Sequence, residues 1–268
     1  MSINEFYRDK IVWITGASSG IGEALTKKLA SWDAKLIISS NKKDELERVK
    51  RECGTLDENV VILPIDLSIP EQVEKTADEA IQIFGRIDFL FNNGGVSQRS
   101  LAIETSIETD RKIMEINYFS GIIITKKILP SMIACGSGHI IATSSLTGKF
   151  GLPYRSAYAA SKHAILGYYE SVWMELHNKG IRTTVVFPGI VKTNLSIEAI
   201  GPGGKAYGKM DDLLAGGISP EKCAMDILNG VRKNRREIFT GSKELRGVYV
   251  KRFFPRLFYK LIIKKNRV

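Results

Sequence analysis

Ile11-Val12-Trp13-Ile14-Thr15-Gly16-Ala17-Ser18-Ser19-Gly20-Ile21-Gly22 is the stretch from which the fold of this chain is read. Residues 11–14 are short and continuously apolar, as in a strand buried on both faces. Three glycines follow, and residues 23–32 then carry a helical pattern. Glycines between a strand and a helix let the backbone turn tightly and approach a pyrophosphate. The helix N-terminus beyond them offers unpaired N–H donors and the positive end of a dipole. Gly16, Ser18, Ser19, Gly20, Ile21 and Gly22 are therefore expected to cradle a nucleotide. The plainer alternative is a glycine-rich turn without a ligand.

The alternation continues along the chain. Strands are expected at 35–39, 60–64, 87–91, 140–143, 183–187 and, as an edge, 237–239. Helical patterns fill 44–53, 71–84, 107–133 and 220–233, and strong helix formers surround Tyr158. Strands alternating with helices mean parallel βαβ units. The expected class is α/β: a doubly wound, Rossmann-like parallel sheet in three layers, one domain over 1–240. In the 107–133 helix, Ile113, Ile116, Ile124, Ile128 and Met132 are expected core. Asn117 is a poor helix-interior residue, and its apolar neighbours suggest that it is buried and bonded.

In such sheets ligands lie beyond the strand ends. An acidic residue after the second strand would suit the ribose of NAD. The chain has Ser40, Asn41 and Lys42 there, none of which repels a 2′-phosphate, so NADP(H) is favoured over NAD(H). Alternatively, Lys42 and Lys43 only decorate a helix start. Asp66 can accept from an adenine amino group; equally, Asp66 or Ser68 can cap the next helix. Leu67 follows. Asn92-Asn93-Gly94-Gly95 suits a tight turn or a backbone pressed against a cofactor ring.

Tyr158 and Lys162 are four residues apart, hence on one helix face. An ammonium beside a phenol favours the phenolate, making the tyrosine a proton donor and acceptor nearer neutral pH. Ser145 precedes Tyr158 by thirteen residues, at a strand end. A lone Tyr-x-x-x-Lys is commonly just a solvated helix face; the surrounding signals give this one its weight.

The chain has 268 residues and a formal charge of +10. Cys53, Cys135 and Cys223 lack metal-ligand spacing; they suit a reducing compartment and are expected to be small buried residues. His139, His163 and His177 are too dispersed to cluster, and no metal is expected. Residues 1–10 lack an apolar signal core, and no run reaches the roughly 18 apolar residues of a spanning helix. A cytoplasmic protein is expected. Residues 194–219, with six glycines and Met210, Leu213 and Leu214, read as a flap over the pocket or as an ordinary surface excursion. The extension 241–268 carries nine cations and one acid, +8 of the total, interleaved with aromatics. Two readings stand for it: peripheral contact with an anionic membrane, or packing on the protein's own surface or a second subunit. Nucleic acid would attract the same charge, but nothing else points to it.

Together Thr15-Gly16-x-x-x-Gly20-x-Gly22, Asp66-Leu67, Asn92-Asn93-Gly94, Asn117, Ser145, Tyr158-x-x-x-Lys162 and Pro188-Gly189, in that order, make the chain resemble the short-chain dehydrogenase/reductase family, from about residue 10 to about 239. The glycine spacing matches the compact single-domain branch. Residues 144–149, 114–119 and the basic extension look like its hydroxysteroid-dehydrogenase-like and DHRS7-like members, which act on lipophilic alcohols and ketones. The resemblance implies reversible hydride transfer between nicotinamide and a carbonyl. It implies Tyr158 as general acid or base, Lys162 holding the ribose and lowering the Tyr158 pKa, and Ser145 bonding the substrate oxygen. It further implies Asn117 on a proton path to Lys162, with Pro188, Gly189, Val191, Thr193 and Asn93 at the cofactor. A homodimer or homotetramer through the Asn117 and Tyr158 helices is implied too. One departure is Asn-Asn-Gly-Gly where the family's motif ends Ala-Gly, so a methyl is missing beneath the cofactor. The other is the absence of an arginine after the second strand. Alternatives are a reductase of soluble metabolites, such as 3-oxoacyl thioesters or sugars, or a non-catalytic nucleotide sensor.

Overall fold

Every residue of β1 (Ile11–Thr15) is buried. Its side chains alternate between two cores: Val12 and Ile14 join one, Ile11 and Trp13 the other. A strand apolar at each position needs a layer on both faces, and the computed structural model, which describes residues 1–54, 57–209 and 216–266, supplies both. β1 pairs in parallel with β2 (Lys35–Ser39) on one side and β4 (Phe89–Asn92) on the other. With β3 (Val60–Ile62), β5 (Gly138–Thr143), β6 (Ile181–Pro188) and β7 (Glu237–Thr240), the seven-stranded order is β3-β2-β1-β4-β5-β6-β7. All pairings are parallel. The order reverses between β1 and β4, which opens a crevice beyond their carboxyl ends.

The first core unites the β1 face of Val12 and Ile14 with α1 (Ile3–Tyr7), α2 (Gly20–Ala30), α3 (Lys43–Cys53) and α8 (Pro220–Arg232). The second holds α4 (Pro70–Phe84), α6 (Ser120–Ala134) and α7 (Ser156–Leu176) against Trp13, Leu90 and Ile140. The α/β class and three-layer sheet are as expected. So are the buried Ile113, Ile116, Ile124, Ile128 and Met132.

Three expectations change. The 107–133 helix is not continuous: α5 (Ile107–Met114) passes into α6 through a π-helical turn over Glu115–Phe119. Such a turn inserts an extra residue and recurs at functional sites; here it contains Asn117. Neither Asp66 nor Ser68 caps α4. Ile69 occupies that position with Pro70 after it, and Asp66 Oδ1 instead accepts from Ser68 N and Oγ at 2.9 and 2.7 Å. Cys135, just past α6, is exposed.

The extension is helical: α9 (Arg246–Phe253) and α10 (Pro255–Asn266) form a hairpin. Phe258 is buried against Phe150, ring centroids 4.9 Å apart, and joins the second core beyond α7. Phe253, Phe254, Leu257, Tyr259, Leu261 and Ile263 remain exposed. Part of the extension thus packs on the protein itself. Arg267, and Met210, Leu213 and Leu214 of the expected flap, lie outside the described residues.

Candidate active site

The crevice begins at the glycine turn. Gly16 and Gly20 hold φ of +66° and +57°, a left-handed backbone open to glycine at little cost. A Cβ on Gly16 would stand 2.7 Å from Gly94 Cα, and one on Gly20 2.9 Å from Thr193 Cγ2. Side chains there would collide with the Gly94 backbone and with Thr193, so the turn can close only on glycine. α2 starts at once, and Ser19, its N-cap, makes no side-chain cap bond. The first N–H groups of α2 therefore face the crevice without that partner. The residues present fit a dinucleotide's pyrophosphate.

Three elements converge at the far end. Ser145 follows β5 and caps a short turn, its Oγ accepting from Thr147 N at 3.2 Å. The same hydroxyl stands beside the Tyr158 phenol, in the first turn of α7, close enough to favour its ionised form. One turn on, Lys162 Nζ donates to Thr143 O at 2.8 Å and lies 5.7 Å from the Tyr158 ring centroid. Close packing holds the β5 end against α7: Ser144 Oγ donates to Lys162 O at 2.7 Å, and a Cβ on Gly148 would fall 2.3 Å from that oxygen's donor. Asn117 stands behind this wall, 5% exposed. Its Oδ1 accepts from Val96 N at 2.8 Å, and its Nδ2 donates to Val96 O and Ser161 Oγ, each at 3.0 Å. A Cβ on Gly95 would lie 2.9 Å from Asn117 Oδ1 and 3.5 Å from Lys162 Nζ. Asn117 thus reaches the amine's neighbourhood only because Gly95 lacks a side chain.

The electrostatics differ from the sequence expectation in one respect. Burial pushes the Tyr158 phenol above its ordinary range. The adjacent Ser145 hydroxyl and the nearby Arg155 and Arg99 oppose that shift. Lys162 is itself pushed down to about 8 by burial. Both groups are desolvated by the same layers, and desolvation disfavours each charge. The pair therefore starts near a neutral phenol and a lysine that readily loses its proton.

Gly16, Ser18, Ser19, Gly20, Ile21, Ser40, Asn41, Lys42, Asp66, Leu67, Asn93, Gly94, Gly95, Ser145, Tyr158, Lys162, Pro188, Gly189, Val191 and Thr193 all line one cleft. Two expected residues do not. Gly22 packs inward, where a Cβ would meet Gly16 O at 2.1 Å, and Asn117 lies behind Gly95. The Asn93 amide is spent on structure: Nδ2 donates to Thr15 O and Gly16 O, and Oδ1 accepts from Thr143 Oγ1. The methyl missing at Gly94 is accounted for. A Cβ there would stand 2.5 Å from Leu67 Cδ1, so leucine fills the space.

Three residues went unseen in the sequence. Gln98, fully buried, caps α7 in place of Arg155, its Oε1 accepting from Ala157 N and Tyr158 N at 2.9 and 3.2 Å. Arg48, from α3, reaches Ser18 O at 3.4 Å while pairing with Glu23, Glu45 and Glu52. Glu198 enters the cleft from beyond β6 and pairs with Lys42. The contacts that bring them to the site, Gln98 to Ala157 and Tyr158, Arg48 to Ser18 and Glu198 to Lys42, each join segments far apart in sequence.

A family model described as short chain dehydrogenase matches residues 10–200. The chain is 40% identical over 262 residues to a "Dehydrogenase/reductase SDR family protein 7-like" of Anopheles gambiae, covering 96% of this chain and 83% of that one. A short chain dehydrogenase/reductase of Burkholderia phymatum in complex with NAD is similar at TM-score 0.82 and 25% identity, covering 94% of this chain and 95% of that one. An alcohol dehydrogenase of Thermococcus sibiricus complexed with 5-hydroxy-NADP matches at TM-score 0.73 and 26% identity, over 87% and 97% of the two chains.

Proposed function

The chain belongs to the short-chain dehydrogenase/reductase family, and from that premise we propose that it interconverts a carbonyl and a secondary alcohol on a lipophilic substrate with NADP(H). The observation that carries this reading is the convergence of Ser145, Tyr158 and Lys162 on one wall of the dinucleotide-sized cleft. A bound nicotinamide supplies or receives the hydride. As charge grows on the substrate oxygen, the Ser145 and Tyr158 hydroxyls are positioned to meet it, and Tyr158 donates its proton. The Lys162 amine, fixed by Thr143 O, stands beside the phenolate so formed. Thr193 and Val191 would meet the nicotinamide end, and Ser18, Ser40, Asn41 and Lys42 the adenosine end. Relatives complexed with NAD and with an NADP derivative support a nicotinamide cofactor. The absence of a carboxylate in residues 39–43 supports the phosphorylated form. Leu195 on the cleft wall supports an apolar substrate.

The exposed apolar side chains of α9 and α10 stand among Lys251, Arg252, Arg256 and Lys260. This supports peripheral contact with an anionic leaflet, each cation contributing roughly 1 kcal/mol. Among the described residues no helix is long and apolar enough to cross a membrane. Exposed Phe119, in the π-turn that carries Asn117, and Met174 of α7 support pairing of two copies through these helices.

The test is fluorescence titration with NADPH and NADH, then oxidation and reduction screens on steroids, retinoids, acyl thioesters and sugars. Tighter NADPH binding and turnover of an apolar carbonyl are expected. Bound nucleotide with no turnover anywhere would turn the reading into that of a sensor.

A further inference from the structure

Lys42 and Glu198 are 156 residues apart, yet Lys42 Nζ stands 2.5 Å from Glu198 Oε1. Lys42 stands in the turn between β2 and α3 and is the N-cap residue of α3. Glu198 lies in the segment that leaves β6 and runs beside the cleft mouth. Both side chains line the cleft, and both are about half exposed, 44% and 47%. The pair joins the two rims at the end expected to hold the adenosine ribose.

The sequence around Lys42 reads as tolerant of a phosphate, because no carboxylate stands after β2. The fold brings one in from elsewhere. A ribose 2′-phosphate arriving beside Lys42 would be attracted by the ammonium and repelled by Glu198. A plain ribose hydroxyl brings no charge into the contest. We propose that Glu198 is a specificity-determining residue that contests Lys42 with a 2′-phosphate and so sets how strongly the cleft prefers NADP(H). The proposal rests on the nicotinamide reading of the cleft and adds a residue that reading does not contain.

The same segment is tied to the catalytic end. Ile200 N donates to Ser97 O at 2.9 Å, and Arg99 N to Ile200 O at 2.8 Å, on either side of Gln98, the residue that caps α7. Glu198 is therefore held by a backbone ladder and not by a free loop end. Withdrawing it from a phosphate costs the Lys42 contact.

The experiment is direct binding, by nucleotide fluorescence, of NADPH and NADH to wild type, Glu198→Gln, Glu198→Asp, Lys42→Ala and the Lys42→Ala/Glu198→Gln pair. Exposed ion pairs are worth up to about a five-fold change in an equilibrium constant, and added salt weakens them. Glu198→Gln is expected to tighten NADPH about five-fold at low salt and less at high salt, with NADH changed less than about two-fold. Glu198→Asp keeps the charge and stays near wild type. Without Lys42 the gain from Glu198→Gln falls below about two-fold. An unchanged NADPH-to-NADH ratio in Glu198→Gln would overturn the inference and leave nicotinamide binding standing. Wild type that binds neither nucleotide would overturn both.

Discussion

Gln98 Oε1 accepts the backbone N–H of Tyr158 at 3.2 Å. A residue of the segment beyond β4 thus holds the start of the helix that presents the phenol. Its Nε2 donates to Ser100 Oγ, Thr105 Oγ1 and Ser156 Oγ, so the amide is bonded on both sides. Gln98→Leu would leave the Ala157 and Tyr158 N–H groups without this acceptor, at about 2–3 kcal/mol. The melting temperature should fall by about 5–10 °C. Gln98→Glu keeps the acceptor, and its protonated form can still donate to one of the hydroxyls; it should melt nearer to wild type than Gln98→Leu. Equal losses in both variants would refute the capping role.

Tyr158→Phe removes only the phenol hydroxyl, which stands beside Ser145. Turnover should drop by at least about 10²–10⁴-fold, while nucleotide titration stays within about two-fold of wild type. Retained turnover on any productive substrate would remove Tyr158 from the chemistry.

Lys162 carries the pH signature. Its proton is held up to about pH 8 in the native state, against an ordinary lysine value of 10.5. Below pH 8 both states bind the proton, and the native state bears the full desolvation penalty. Between about 8 and 10.5 only the unfolded chain binds it, so for this group native stability rises with pH across that window. Lys162→Met should therefore stabilise the fold by up to about 3 kcal/mol at pH 7, with the gain shrinking by pH 10. Activity should be lost throughout. Denaturant melts at pH 7 and pH 10 read this out; a gain that grows with pH would contradict the sign.

Gly94→Ala would place a methyl 2.5 Å from Leu67 Cδ1. Overpacking of this kind costs about 1–3 kcal/mol. The loss should appear in melting and in nucleotide affinity. Gly94→Ala with Leu67→Ala should recover most of it, since the leucine methyl is what the new atom meets. A double variant as weak as the single one would place the conflict elsewhere, in the Gly16 backbone at 3.3 Å.

Phe258→Ala empties the contact with Phe150 that joins the α9–α10 hairpin to the second core. Burying such a ring contributes about 1.5–3 kcal/mol. Cleavage by trypsin within the hairpin should accelerate at least about ten-fold, with the main melting transition little changed. Protection equal to wild type would show that the hairpin is held by other contacts.

Much was legible in the chain alone. The short apolar runs, the glycine turn and the period-four spacing of Tyr158 and Lys162 are local patterns, and local patterns set strands, helices and the order of βαβ units. That was enough for the sheet and for most of the residues of the cleft wall. The π-turn at Asn117, the Gln98 cap, Leu67 in the place of a methyl, and Glu198 opposite Lys42 came only with the tertiary structure. Each is a meeting of atoms from distant segments, and packing decides such meetings. The same holds for the charges. Four-residue spacing placed a lysine near a phenol, but burial decided that the phenol rises and the lysine falls, because two packed layers remove the water that would have favoured both ions.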